Sequence, residues 1–243
     1  MTVRITFLGT GNAFADGGRS HACIHVGARG VSLLLDCGAS SLPMIQRHLD
    51  PAAIDAIAVT HLHGDHFGGI PFLLDQQKWT FRKRPLAVGG PPSLERRVRH
   101  LTEGYGMDIS PGALGFDLGF VRLDGSERPL GGAHVAALPV RHSADAEPHG
   151  LRIRVDGKVI AYSGDTIWSE ELVPLADGAD LFICESTHYE RDDPVHISYR
   201  TLLKHRAELR CERILLTHLD AEMVRHIGDL ELAVATDGMV IEL

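Results

Sequence analysis

The chain reads as an α/β protein, a four-layer αββα sandwich, on three observations. Apolar runs of strand length, such as Val31 to Leu35, are set off by Gly- and Asp-marked turns. The strands fall into two blocks, one at the start and one in the second half, with helical segments between and after them. The 243 residues are 44% hydrophobic, enough to bury a sizeable core, so residues 1–243 are read as a single domain. Two strand blocks packed face to face, with helices on the outer faces, satisfy that order.

Three strands open the chain: Val3 to Leu8, Ala22 to Val26 and Val31 to Asp36, with Gly27 to Gly30 turning the last two into a hairpin. Ser40 or Ser41 can cap a helix that ends near His48, where Asp50-Pro51 breaks it. Ile54 to Thr60 is apolar enough for a buried strand. Ile70 to Trp79 has helical spacing, Pro85 to Val88 suits a short strand, and Ser93 to Glu103 a basic helix. Phe116 to Leu123, His134 to Val140, Leu151 to Val155 and Val159 to Tyr162 form the second strand block, with Asp156-Gly157 as a hairpin turn. Helix and strand then alternate: Trp168 to Ala176, Leu181 to Cys184, Ser198 to Glu208 and Ile214 to Thr217.

A net charge of −8 argues against a general nucleic-acid-coating role, which depends on Lys and Arg neutralising phosphates. One segment departs from that balance. Lys78 to Arg99 holds seven basic residues against Glu95 alone, and reads either as a solvated face or as a rim that attracts phosphate. The N-terminus has no apolar stretch long enough for a signal peptide, and no apolar run is long enough to span a membrane. Cys23, Cys37, Cys184 and Cys211 are far apart and form no Cys-x-x-Cys pair, so they are expected to be reduced thiols in a cytoplasmic protein.

The chemistry is concentrated in Thr60-His61-Leu62-His63-Gly64-Asp65-His66, where an apolar strand runs into a Gly-flanked loop. Four metal-capable side chains stand within six residues, an order expected by chance in roughly four of a thousand sequences of this length and composition. His-x-His can aim two imidazoles at one ion, and the Asp-His pair is offset enough to serve a second. Imidazole and carboxylate are the donors zinc takes in hydrolytic sites.

With this motif the chain resembles the metallo-β-lactamase superfamily, whose His-x-His-x-Asp-His is followed by a later His, a bridging Asp and a final His. His142, Asp165 and His218 occur in that order, each just after a strand end. The resemblance implies one ion on His61, His63 and His142, a second on Asp65, His66 and His218, and Asp165 between them. It implies two Zn²⁺ per chain, with Mn²⁺ as the alternative. An oxygen-reducing di-iron variant of the fold would carry an acidic residue in place of His63, so zinc and hydrolysis are favoured.

A nearer resemblance is to the ribonuclease Z group of phosphodiesterases. Phe7-Leu8-Gly9-Thr10-Gly11 with Arg19 is similar to its opening, Cys184-Glu185-Ser186-Thr187 to its His-Glu-Ala-Thr segment, and His196-Ile197-Ser198 to its His-Ser-Thr segment. By this resemblance His196 is a proton donor to the leaving oxygen, oriented by Glu185; the alternative is that His196 only caps the helix that follows. Two departures stand out. Only 23 positions separate His142 from Asp165, too few for the tRNA-binding arm of that group, and Leu219-Asp220 replaces Ile-Ser after the final His.

The expected function is therefore a dinuclear zinc phosphodiesterase in which metal-bridging hydroxide attacks a small or cyclic phosphodiester, with Asp65 or Asp165 orienting the water. RNA is the less favoured substrate, and a homodimer is compatible with the sequence. A zinc acyl hydrolase acting on a lactone, β-lactam or thioester is the first alternative, and a metal-binding sensor or scaffold without turnover the second.

Overall fold

Val31–Leu35 is apolar at every position but Ser32 because both of its faces are covered. Leu33 and Leu35 pack into the core between two sheets, whereas Leu34 packs among the helices behind. The same division holds for Leu181–Glu185, where Leu181 and Ile183 point inward, and Phe182 and Cys184 outward. Strands buried on both faces read as continuous apolar runs rather than as alternation.

The computed structural model describes residues 2–243. In chain order the elements are β1 (Arg4–Gly9), β2 (Cys23–Ala28), β3 (Val31–Leu35), α1 (Ser41–His48), β4 (Ala56–Ala58), α2 (Gly64–Phe67), α3 (Ile70–Trp79), β5 (Leu86–Gly90), α4 (Leu94–Gly104) and β6 (Leu118–Arg122). There follow β7 (Arg128–Leu130), β8 (Ala133–Pro139), β9 (His149–Val155), β10 (Lys158–Tyr162), α5 (Leu172–Ala176), β11 (Leu181–Glu185), α6 (Tyr199–His205), β12 (Ile214–Thr217), α7 (Ala221–His226), β13 (Ala233–Val234) and β14 (Val240–Glu242).

One seven-stranded sheet has the order β14-β1-β2-β3-β4-β5-β6 and the other β13-β12-β11-β10-β9-β8-β7. Each is antiparallel through its hairpins and then parallel, over β3-β4-β5-β6 in one and β10-β11-β12-β13 in the other. Helices α1, α3 and α4 cover the outer face of the first sheet through Ile45, Leu73, Leu74 and Val98. Helices α5, α6 and α7 cover the second through Leu175, Leu202 and Met223. The expected αββα sandwich is the observed architecture.

Some elements differ from expectation. The segment Trp168 to Ala176 becomes helical only from Leu172, and Trp168 instead stacks on His205 with ring centroids 4.1 Å apart. The strand expected over Ile54 to Thr60 is confined to Ala56–Ala58, because Thr60 turns away to bond Asp36. The short strands β7, β13 and β14 and helices α2 and α7 are additions. Among the described residues no helix is long and apolar enough to cross a membrane.

Candidate metal centre

Ligand-bearing loops leave the carboxyl ends of β4, β8, β10 and β12, the usual place for a site in an α/β sheet. After β4, Thr60 is anchored on Asp36, which accepts from its backbone N (2.8 Å) and its hydroxyl (2.9 Å). Thr60 Oγ1 in turn accepts from His61 Nδ1 at 3.0 Å. The one-turn α2 carries Asp65 and His66, and His66 Nδ1 donates to Asp36 Oδ2 at 2.7 Å. After β8, His142 Nδ1 donates to the Val195 carbonyl at 2.7 Å.

Asp165 follows Gly164, whose φ of +57° suits glycine and whose missing Cβ would lie 2.8 Å from Thr60 Cβ. That close approach brings the two sheets' loops together. His218 itself has a φ of +62°, a conformation that costs a non-glycine residue about 1–3 kcal/mol, and its amide is held by the Thr10 carbonyl at 3.0 Å. Its Nδ1 donates to Thr187 Oγ1 at 3.0 Å, and that hydroxyl donates to Glu185 Oε2 at 2.8 Å.

With Nδ1 engaged in His61, His66, His142 and His218, each presents Nε2 inward. His63 Nδ1 lies 3.2 Å from His61 Nε2 and 3.1 Å from His142 Nε2, and Asp165 Oδ2 is 3.6 Å from His61 Nε2. In the second group His66 Nε2 is 3.4 Å from His218 Nε2, 3.4 Å from Asp65 Oδ2 and 3.2 Å from Asp165 Oδ1. A tetrahedron with metal–ligand bonds near 2.0–2.1 Å has edges of about 3.3 Å. The second group is close to that edge and the first is wider on the Asp165 side, where His142 Nε2 is 3.9 Å from Oδ2; the two share Asp165, whose buried Oδ1 has no hydrogen-bond partner. Converging lone pairs and carboxylates call for a cation, and this donor set fits two divalent ions.

Without metal, protons relieve the same crowding. Burial works against a charged His66, but Asp165, Asp65 and Asp36 outweigh it and hold the ring well above its ordinary pKa. On His61 burial prevails, and the ring is held far below its ordinary value. Asp65 stays far below the usual carboxylate range because His66 and His218 overcome its burial.

The structure brings all seven motif residues together, and His196 and Glu185 lie beside them. The His196 ring sits 5.1 Å from that of His142 and 5.3 Å from that of His218. Its Nδ1 is 2.9 Å from Glu185 Oε1, and this buried carboxylate outweighs desolvation and lifts His196 to about 9. The helix that follows is capped by Ser198, whose Oγ accepts from Thr201 N at 3.2 Å, so His196 is not the cap. The cavity over the centre has a volume of about 410 Å³. Sequence reasoning did not single out Asp36, Thr60 or Thr187, which orient the rings, nor the exposed Phe14 on the cavity wall. The one local signal was an acid, Asp36, ending an apolar strand.

None of residues 78–99 lines this cavity. Arg82 is buried, its guanidinium donating to the carbonyls of Arg84, Ile54 and Pro85 at 2.7 Å each. Arg84 pairs with Asp55, and Arg99 with Glu95. The basic segment is therefore partly structural and stands away from the metal centre.

The fold and its His/Asp centre define a metallo-β-lactamase-fold protein. YhfI of Bacillus subtilis, a protein of that fold, superposes with a TM-score of 0.81 over the whole of both chains, at 19% identity. The chain belongs to the anti-Pycsar protein Apyc1 family, whose model matches residues 3–235. It is 32% identical over 227 residues to the uncharacterised protein ML1173 of Mycobacterium leprae, covering 90% of this chain and 78% of that one. It is 29% identical over 301 residues to ribonuclease Z of Haloarcula marismortui, covering 98% of this chain and 96% of that one. Relatives of this fold thus include hydrolases.

Proposed function

We propose that this protein is a dinuclear zinc-dependent phosphodiesterase acting on a small or cyclic nucleotide phosphodiester. The observation that carries the reading is the Glu185–His196 pair set against the two ligand groups. A buried carboxylate takes Nδ1 of a histidine that lines the cavity, leaving Nε2 for substrate. Departure of an alkoxide from phosphorus needs such an acid, whereas a thiolate can leave an acyl carbon without one.

His61, His63 and His142 would hold one ion, Asp65, His66 and His218 the other, and Asp165 both. Bound there, the ions would lower the pKa of a water and offset charge on a phosphoryl oxygen. Manganese is the alternative metal. His196 protonates the leaving oxygen, Glu185 keeps its tautomer, and Asp65 on the cavity wall orients the attacking water.

Substrate size follows from the walls. Between His142 and Asp165 lie only a short turn and the β9–β10 hairpin, with no protruding arm to grip a folded RNA. A cavity of about 410 Å³ is in the small-molecule range. Phe14, 84% exposed on its wall, offers a face on which a base can stack. The unpaired thiols suit a cytoplasmic setting.

His196→Ala should retain its metals and much of its activity on an activated aryl diester, while losing roughly 10²-fold or more on an alkyl or nucleotide diester. Equal losses on both would remove His196 from the acid role. Wild-type protein that opened lactones or thioesters but cleaved no phosphodiester would replace the reading with an acyl hydrolase.

A further inference from the structure

Six large hydrophobic side chains stand exposed among the described residues, and four of them, Phe72, Trp79, Phe81 and Tyr105, lie on or just after α3 and α4. None of the four lines the metal cavity. Phe72 and Trp79 are seven positions apart on α3, about two turns, and so share one face. Tyr105, at the end of α4, sets its ring 5.4 Å from that of Phe72 and joins the two helices. Trp79 is pinned along the same stripe, since its Nε1 donates to Asp75 Oδ1 at 3.0 Å.

Phe81 is held outward against its own backbone preference. It follows the C-cap of α3, where Phe81 N donates to the Lys78 carbonyl at 3.1 Å and Arg82 N to the Gln77 carbonyl at 3.0 Å. That pairing is a Schellman turn, whose left-handed residue is usually glycine. Phe81 has a φ of +61°, so a bulky side chain takes a strained conformation and still leaves its ring in water.

We infer that this aromatic face of α3 and α4 is the interface of a two-fold homodimer, each copy covering the rings of the other. The area decides for a second copy. Phe72 is 46% exposed, Tyr105 55%, Trp79 69% and Phe81 77%, so at about 150–250 Å² per large aromatic side chain the patch offers roughly 500 Å² of apolar surface. A standard interface takes about 800 Å² from each partner, about 65% of it apolar when the partners are identical. The two figures agree. Charge points the same way. Asp75, Glu103 and Asp108 are interspersed with Lys78 and Lys83 beside the rings, and none of the five is buried. A two-fold axis lets such a mixed rim oppose itself with opposite signs, whereas a partner of one charge would call for a rim of the other.

Sedimentation velocity of the protein as purified, followed over a dilution series, should show a monomer–dimer equilibrium. Phe72→Ser and Trp79→Ser should each weaken it about tenfold or more, as expected for aromatic anchors near an interface centre. Phe81→Gly is the sharper variant, because glycine relieves the left-handed strain while deleting the ring. It should melt no lower than the wild type when both are dilute monomers, yet dimerise about fivefold or more weakly. In a Trp168→Phe background Trp79 is the sole tryptophan, and acrylamide should quench it less as the protein concentration rises. A chain that stays monomeric at every concentration, or a dimer that tolerates all three substitutions, overturns the inference. A monomer whose Trp79 is shielded by phosphatidylcholine vesicles instead would overturn it in favour of a lipid surface.

Discussion

A histidine that gives its Nε2 lone pair to a cation needs its other ring nitrogen engaged; in this centre the adjacent Thr60 engages His61, and residues distant in sequence engage the others. Asp36 holds His66 from thirty positions away, and Thr187 holds His218 from thirty-one. Such partners typically supply 10–100-fold in metal affinity. Asp36→Asn should therefore lower zinc affinity by about that factor in a chelator competition, without removing any ligand; unchanged affinity would return Asp36 to a purely structural role. His61, His63, Asp65 and His66 are legible from their local spacing, and His142, Asp165 and His218 from the resemblance that orders them, whereas Asp36 and Thr187 declare themselves only when β3 pairs with β4 and β11 with β12. His25 makes a separate case. Burial, with a smaller contribution from Arg4, lowers it to about 4, its Nδ1 has no partner, and its Nε2 meets Ser32 Oγ at 2.9 Å. A folded pKa below the unfolded value of about 6.5 means that stability is intact above pH 6.5 and falls as the pH drops toward 4, by about 3 kcal/mol for this group. Urea unfolding of His25→Gln, compared with wild type at pH 7.5 and 5, should show a smaller loss on acidification; parallel losses would exclude His25 as a source.

At the scale of elements, the basic segment shows how one composition can serve different ends. Arg82 closes the loop between α3 and β5 by satisfying buried carbonyls, so Arg82→Met should destabilise the fold by about 3 kcal/mol or more. Lys83→Met, at an exposed neighbour, should stay within about 0.5 kcal/mol. Equal effects in thermal unfolding would contradict the buried role. The loop before β2 is built for presentation instead. Asn12 Oδ1 accepts from Phe14 N at 3.1 Å and Asp16 N at 3.3 Å, which fixes a turn with an aromatic ring outward. Phe14→Ala should raise KM for nucleotide diesters roughly fivefold or more while leaving metal content intact, and Phe14→Trp should not. Long elements were readable from pattern: the helix Ile70–Trp79 and the strand Ile214–Thr217 have the expected bounds. The missed ones lack a pattern to read. Strand β7 contains Pro129, which suits only a sheet edge, β13 has two residues, and α2 is one turn inside the metal motif.

Across the whole molecule, the loops after β4 belong to the first sheet and those after β8, β10 and β12 to the second, so each ligand group draws on both halves. His61 and His63 meet His142 and Asp165 in one group, and Asp65 and His66 meet Asp165 and His218 in the other. An ion bound to either would therefore staple the sheets as well as serve chemistry. Unfolding separates the donors, so a ligand that binds only the folded chain stabilises it by RT ln(1 + [L]/Kd), about 4 kcal/mol at a thousandfold excess over Kd. For a domain of this size that corresponds to a rise in Tm of roughly 10 °C. Elemental analysis of protein purified without chelator should find about two metals per chain, mostly zinc. Stripping them should lower Tm by that order, and returning zinc should restore it. His66→Ala, which disrupts one group and spares the other, should fall between the stripped and loaded wild type. The apo protein should lose protection from hydrogen exchange first in the loops after β4 and β12, where buried histidines and aspartates are left to share protons. If both ions can be removed with no change in Tm, the donors hold their places without metal, and the centre is a catalytic device only.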